Sequence, residues 1–235
     1  MKIPVIEVFG PTIQGEGMVI GQKTMFVRTG GCDYSCSWCD SRFTWDGSVR
    51  SELIEATEIV DQLKKIGGET FSHVTISGGN PAIHKGIDKL VDLCHDQGWK
   101  VAVETQGSIW QEWVKKIDNI TISPKPPSSK METDIEKLDH FMEQLEDRNV
   151  SLKAVVFDDD DFLFAELIHK RYSHVPFYLQ IGNEDVSSSD DRALLSTLLQ
   201  RYEWLIGKAT QSITMNDARV LPQLHTLIWG NQRGV

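Results

Sequence analysis

No stretch of this sequence approaches the roughly 18 consecutive apolar residues that a membrane-crossing helix needs, so no membrane partner is expected. Basic residues are also scarce, with 24 Lys and Arg against 34 Asp and Glu and a formal charge of -10. Holding a nucleic acid backbone requires a basic surface, which points away from nucleic acid and toward small molecules. The start MKIPVIEVF has no long apolar core and no small-residue cleavage site, and reads as cytosolic rather than secreted. Cysteine is sparse, four in 235 residues, and does not resemble the disulfide framework of a small secreted domain. A chain of this length buries roughly 70% or more of its unfolded surface. No staple is needed for a core, and any metal ligands are expected to serve chemistry.

Repeats and linkers are missing too. The punctuated stretches Ser123 to Ser129 and Ser187 to Ser189 are short, so residues 1–235 are expected to form a single domain. What the chain has is a relay of Val-, Ile- and Thr-rich runs: Thr24 to Arg28, His73 to Ile76, Lys100 to Glu104, Asn119 to Ile122, Ser151 to Phe157 and Phe177 to Ile181. Between and after them, residues 55–66, 87–95, 135–145, 162–172 and 193–206 show helical spacing, with Ile59, Leu63 and Ile66 on the first and Cys94 beside Leu90 and Val91 on the second. Strands alternating with helices predict an α/β fold with a parallel sheet. The acidic run Asp158 to Asp161 reads as a solvated turn leading into a helix, whose N-terminus favours negative charge.

Three of the four cysteines, Cys32, Cys36 and Cys39, crowd into eight residues with Cys-x3-Cys-x2-Cys spacing, directly after the strand ending at Arg28. Three thiolates on one loop can hold three irons of a 4Fe-4S cubane and leave the fourth open to a ligand. The competing reading is a closed zinc site, completed by Cys94 or a histidine. Cys94 sits at an apolar helical position and reads as a core residue.

This cysteine loop, with Trp38 immediately before the third cysteine, resembles the radical S-adenosylmethionine (SAM) superfamily. The resemblance implies a shortened, partly open parallel β-barrel, a 4Fe-4S cluster, and SAM chelated at the open iron and cleaved to methionine and a 5'-deoxyadenosyl radical. Ser77-Gly78-Gly79-Asn80-Pro81 follows a strand where the superfamily carries Gly-Gly-Glu-Pro. Glycines there allow close backbone approach to a ligand. Asn80 departs from the pattern, bringing no negative charge to the methionyl ammonium.

Thr12-Ile13-Gln14-Gly15-Glu16-Gly17, Phe26-Val27-Arg28, Asp40-Ser41, Ser77-Gly78-Gly79, Glu104-Thr105-Gln106-Gly107, Ser123-Pro124-Lys125 and Leu221-Pro222-Gln223-Leu224-His225 occur in that order. Together they resemble the 7-carboxy-7-deazaguanine synthase family. The implied reaction turns 6-carboxy-5,6,7,8-tetrahydropterin into 7-carboxy-7-deazaguanine with loss of ammonia, the deoxyadenosyl radical taking hydrogen from C6 and, after rearrangement, returning one so that SAM is regenerated. The resemblance implies substrate contacts at Ile13, Gln14, Gly15, Arg28, Ser77 and the C-terminal Val235, with Arg28 suited to a carboxylate. It implies cofactor contacts at Trp38, Cys39, Asp40, Gly79, Ser123, Pro124 and Lys125, and Mg2+ at Ser41, since magnesium takes oxygen ligands. Glu104 either touches the ribose or faces water. Glu16 reads as a turn cap, and His225 and Trp229 as packing.

The chain is further expected to be a homodimer fed by a one-electron donor such as a flavodoxin. Two alternatives stay open at this point. A glycyl-radical activating enzyme would share the cysteine spacing, and a non-enzymatic zinc-binding module would need a fourth ligand.

Overall fold

Apolar and polar side chains alternate along the strands with period two, and this alternation decides which face of the sheet is core and which is site. The computed structural model describes all 235 residues. Nine strands form one sheet: β1 (Ile3–Ile13), β2 (Lys23–Thr29), β3 (Glu52–Ile54), β4 (His73–Gly78), β5 (Lys100–Thr105), β6 (Asn119–Ile122), β7 (Val150–Val156), β8 (Phe177–Ile181) and β9 (Arg219–Leu221). Their spatial order is β3-β1-β2-β4-β5-β6-β7-β8-β9. β1 pairs antiparallel with β2 and β3, and from β2 onward every pairing is parallel. The edges β3 and β9 do not meet. The expected open, parallel α/β sheet is what forms.

The helices are α1 (Ala56–Gly67), α2 (Ile87–Asp96), α3 (Ile135–Glu143), α4 (Asp159–Arg171), α5 (Asp191–Gln211) and α6 (Leu224–Trp229). Because the parallel strands are added in one direction, right-handed crossovers bring the helices back to one face. One strand parity feeds that face: Val74 and Ile76, Val101 and Val103, Ile120 and Ile122, Leu179 and Ile181 belong to a single buried cluster. Burying each such side chain stabilises the fold by about 1.5–3 kcal/mol. The opposite parity places Arg28, Ser77, Glu104, Lys153 and Gln180 together on the other face, which therefore carries the polar groups.

Several expectations change. Ile66 is 48% exposed, because α1 turns Ile59, Val60, Leu63 and Gly67 inward instead. Within the acidic run, Asp158 caps α4 as expected, accepting from the Asp161 amide at 2.9 Å. Asp161, however, is fully buried. β1 escaped the sequence pattern because two register shifts break its alternation. β9 is only three residues long.

Candidate active site

The loop after β2 carries the three cysteines, and two neighbouring segments pin it. At its far end, the Ser37 amide donates to the Ser129 carbonyl at 3.0 Å, the Ser37 hydroxyl to the Ser128 carbonyl at 2.8 Å, and Trp38 Nε1 to Ser128 Oγ at 2.9 Å. Buried Asp161 holds Ser128 in turn, accepting from its hydroxyl at 2.6 Å and its amide at 2.9 Å. The start of the loop is tied by Asp33, whose Oδ1 accepts from Asn80 Nδ2 and Gln106 Nε2, both at 2.7 Å, and whose Oδ2 accepts from Ser108 Oγ at 2.6 Å.

This network explains Asn80. The side chain is fully buried and committed to Asp33, to Ser108, to the Ala82 amide at 3.1 Å and to the Thr105 hydroxyl at 2.8 Å. It is an anchor for the cysteine loop and does not line the cavity. The glycines before it are required by close approach. Gly78 has φ +131°, and a Cβ on Gly79 would lie 2.1 Å from the Gly31 carbonyl oxygen and 2.8 Å from Cys32 Cβ.

The donor set around the thiols suits a bound cluster, whose sulfurs accept hydrogen bonds. The Tyr34 amide and Trp45 Nε1 each stand 3.4 Å from a cysteine sulfur, Cys32 and Cys39 respectively, and Gln106 Nε2 is 3.6 Å from Cys32 Sγ. Without a metal, burial and then the Asp40 carboxylate push the Cys39 thiol up to about 11, and burial raises Cys32 and Cys36 as well. Metal ligation favours the thiolate and works against that shift. Cys94 lies fully buried in the helix-side cluster, its thiol pushed up to about 12 by burial. It does not line the cavity and is no fourth ligand for a zinc site.

A cavity of about 270 Å³ opens on the polar face. Cys32, Cys36, Trp38, Cys39, Asp40 and Ser41 line it together with Ile13, Gln14, Gly15, Arg28, Ser77, Gly79, Glu104, Ser123, Lys125 and Val235. Of the residues expected at the site, Pro124 alone is outside the wall; it is buried behind it, between Ser123 and Lys125. Lys125 Nζ donates to Ser123 Oγ at 3.2 Å and lies 6.0 Å from the centre of the Trp38 ring.

Arg28 has one partner, Glu7, at 3.2 Å, and stacks against Phe9 and Phe43. Burial lowers its pKa, an effect opposed by Glu7 and Asp40, and guanidinium stays charged throughout the working range. Arg233 in the C-terminal segment reaches the same Glu7 at 3.1 Å and lies 3.9 Å from the centre of the Phe43 ring. Two cations share one carboxylate here.

The floor carries a group that sequence reasoning missed. Lys153, 1% exposed, places Nζ 2.6 Å from Glu16 Oε2 and in contact with Glu104. Burial alone would raise the Glu16 pKa, but Lys153, His225 and Gln223 outweigh it and hold the carboxyl well below the usual range. Burial alone would discharge Lys153, and the two carboxylates instead hold it firmly protonated. Glu16 thus caps no turn, and Glu104 is paired while still lining the cavity. A lysine inside the apolar run of β7, on the parity of the polar face, was the signal available.

The C-terminal segment closes onto the same corner. The Leu224 amide donates to the Gly15 carbonyl at 3.1 Å, and a Cβ on Gly15 would lie 2.4 Å from His225 Nδ1. Gln223 Nε2 donates to Glu16 at 3.0 Å and to Asp40 at 3.2 Å. Glu16, Asp40 and His225 offer ligand atoms that all lie within 4.8 Å of one another. Ser41 beside them caps nothing with its hydroxyl, so this oxygen-rich corner suits a divalent cation such as Mg2+.

Residues 26–125 match the Radical SAM superfamily. The whole sequence is 60% identical over 236 residues to the 7-carboxy-7-deazaguanine synthase of Bacillus cereus, covering 100% of this chain and 99% of that one. It is 58% identical over 239 residues to the 7-carboxy-7-deazaguanine synthase of Bacillus subtilis 168, covering 99% and 98%. The crystal structure of QueE from Escherichia coli shares the fold, with a TM-score of 0.63, 24% identity and 95% coverage of each chain.

Proposed function

The chain belongs to the 7-carboxy-7-deazaguanine synthase family of radical SAM enzymes, and from this we propose how its cavity serves that reaction. The enzyme carries a 4Fe-4S cluster and uses SAM, converting 6-carboxy-5,6,7,8-tetrahydropterin to 7-carboxy-7-deazaguanine with loss of ammonia. The observation that supports the residue roles is convergence: motifs scattered from Ile13 to Val235 line one cavity.

Cys32, Cys36 and Cys39 hold the cluster, and Gly79, Ser123, Lys125 and Trp38 hold SAM, with Pro124 fixing the path of that segment. When bound, the pair supplies hydrogen-atom abstraction. The protein's own groups do the rest. Arg28, reinforced by Arg233, binds the substrate carboxylate as a charge-assisted pair. Gln14 and the backbone of Ile13 and Gly15 read the amide and amine edges of the pterin, with Ser77 beside them. Lys153 fixes Glu16 and Glu104 as charged acceptors in a low-dielectric floor, where such groups need no reorganisation on binding. Ser41, with Asp40 beside it, would hold Mg2+, which would supply positive charge for substrate oxygens.

In domain terms, residues 1–235 form one unit in which the segment around Ile13 to Gly15 binds substrate and the tail ending at Val235 closes the site. A flavodoxin-type donor reduces the cluster. The exposed leucine pairs Leu163 and Leu167 on α4, and Leu195 and Leu199 on α5, are each spaced one helical turn apart and offer apolar strips for a homodimer. No helix of the chain is long and apolar enough to cross a membrane.

The test is anaerobic turnover of the carboxylated tetrahydropterin with SAM and a one-electron reductant, repeated after chelation with and without added Mg2+. Formation of 7-carboxy-7-deazaguanine by mass, stimulated by Mg2+ and less so in Ser41→Ala, is expected. Absence of that product would overturn the reaction, and equal turnover without magnesium would overturn the cation site.

A further inference from the structure

Trp45 follows Cys39 by six residues, stands half-buried in the cavity wall, and places its indole Nε1 3.4 Å from Cys39 Sγ. The indole carries one N–H, which can only donate. Its single polar group is therefore directed at a ligand sulfur. The other donors near the thiols are of a different kind: Tyr34 offers a main-chain amide to Cys32, and Gln106 Nε2, 3.6 Å from Cys32 Sγ, also serves Asp33 at 2.7 Å.

The chain around the indole holds it in place. In the helical turn Arg42–Thr44, the Ser41 carbonyl accepts from the Thr44 amide at 2.9 Å and from the Thr44 hydroxyl at 2.7 Å. The Thr44 carbonyl in turn accepts from the Gly31 amide at 2.7 Å, joining this turn to the start of the cysteine loop. Arg42 Nη2 donates to the Ser37 carbonyl at 2.8 Å, and its guanidinium carbon lies 5.9 Å from the centre of a Trp45 ring. A donor fixed in this way needs no reorientation when the charge on its acceptor changes.

We propose that Trp45 is a positioning residue that acts through Cys39, raising the reduction potential of the 4Fe-4S cluster so that an external one-electron donor can reduce it. One electron passes from that donor to the cluster, and no bond to the protein forms or breaks. The ligand sulfurs share the added negative charge, so an N–H aimed at one of them stabilises the reduced state more than the oxidised one. The Asp40 carboxylate beside the same cysteine acts in the opposite direction. The inference rests on the cluster assigned to Cys32, Cys36 and Cys39 and adds the side chain that tunes it.

The test compares wild-type holoenzyme with Trp45→Phe and Trp45→Met after anaerobic reconstitution. Iron and sulfide are counted first, and the midpoint potential is then titrated without SAM or pterin, following the EPR signal of the reduced cluster. Both variants lose the N–H and differ in shape. Both should keep their iron and shift the reduction equilibrium about three- to tenfold toward the oxidised state, a fall of roughly 30–60 mV for one electron. An unchanged or higher potential in variants that keep iron would overturn the proposal. A fall in only one of two iron-loaded variants would report altered packing and would overturn it as well. Loss of iron from both would show a residue that builds the site without tuning it, with the same consequence. A wild type without iron would sink the cluster assignment instead, and one that holds iron without turnover would sink the assigned reaction alone, since the potential is read without substrate.

Discussion

Lys153 Nζ stands 2.6 Å from the carboxylate of Glu16, 137 residues earlier in the chain, at a position almost sealed from water. The contact ties the segment after β1 to the middle of the parallel sheet, and Glu104 on β5 closes the group from the other side. A buried ammonium is tolerable only when it is paired and hydrogen-bonded. Two carboxylates achieve this and leave one net negative charge on the cavity floor.

Replacing Lys153 with Met should therefore cost about 3–5 kcal/mol, the range for stranding one side of a buried ion pair, as read by urea unfolding. In the wild type, the stability from Glu16 is present above its unfolded pKa of about 4.3 and is lost as pH falls, because its folded pKa is depressed. The share from Lys153 is present below about 10.4 and is lost only as pH rises through its raised folded value. In Lys153→Met one carboxylate is driven to keep a proton, so substrate affinity should vary with pH across the weakly acidic range where the wild type is flat. A flat profile in the variant would contradict the role given to this pair.

Alanine at Cys32, Cys36 or Cys39 should abolish iron retention and SAM cleavage. Cys94→Ala should keep both and lose only about 1 kcal/mol of stability, since Cys94 belongs to the helix-side core. Iron and sulfide analysis after anaerobic reconstitution checks both halves, and iron lost from the Cys94 variant would refute the three-cysteine site.

The tail carries the third expectation. Asn231 Nδ2 donates to the carbonyls of Asp185 and Ser188 at 2.9 and 3.0 Å, and Arg233 holds Glu7, so the last residues are fixed beside Arg28. Deleting Gly234 and Val235 should raise the substrate KM at least severalfold with cluster content unchanged. Arg233→Ala should do so more strongly by removing the latch as well. Unaltered kinetics in both would show that the tail only packs.

What the sequence made legible was the part governed by local rules. Six strands, five helices and the cysteine loop follow from apolar runs and fixed spacing, and strand ends such as Arg28 and Glu104 emerge at the cavity because parallel strands share one rim. What stayed hidden depends on pairing across the sheet. Lys153 and Gln180 sit inside apolar strands, and only the parity they share with Arg28, Ser77 and Glu104 reveals the face to which they belong. Glu16 passed for a turn cap because its partners lie at positions 153, 223 and 225. Asp161 resembled a solvated acid until Ser128 and the Phe157 amide were found bound to it. Asn80 looked like a weakened ligand, and its attachment to Asp33 shows an anchor instead.

The most direct measurement of the central claim uses 6-carboxy-5,6,7,8-tetrahydropterin deuterated at C6, incubated anaerobically with reduced holoenzyme and unlabelled SAM, followed by mass analysis of recovered SAM and product. Hydrogen abstraction from C6 onto the deoxyadenosyl carbon, with one of the three hydrogens there given back to the rearranged ring to regenerate SAM, predicts deuterium in SAM alongside 7-carboxy-7-deazaguanine. Product formed with SAM free of deuterium, or SAM cleaved with no ring-contracted product, would contradict it.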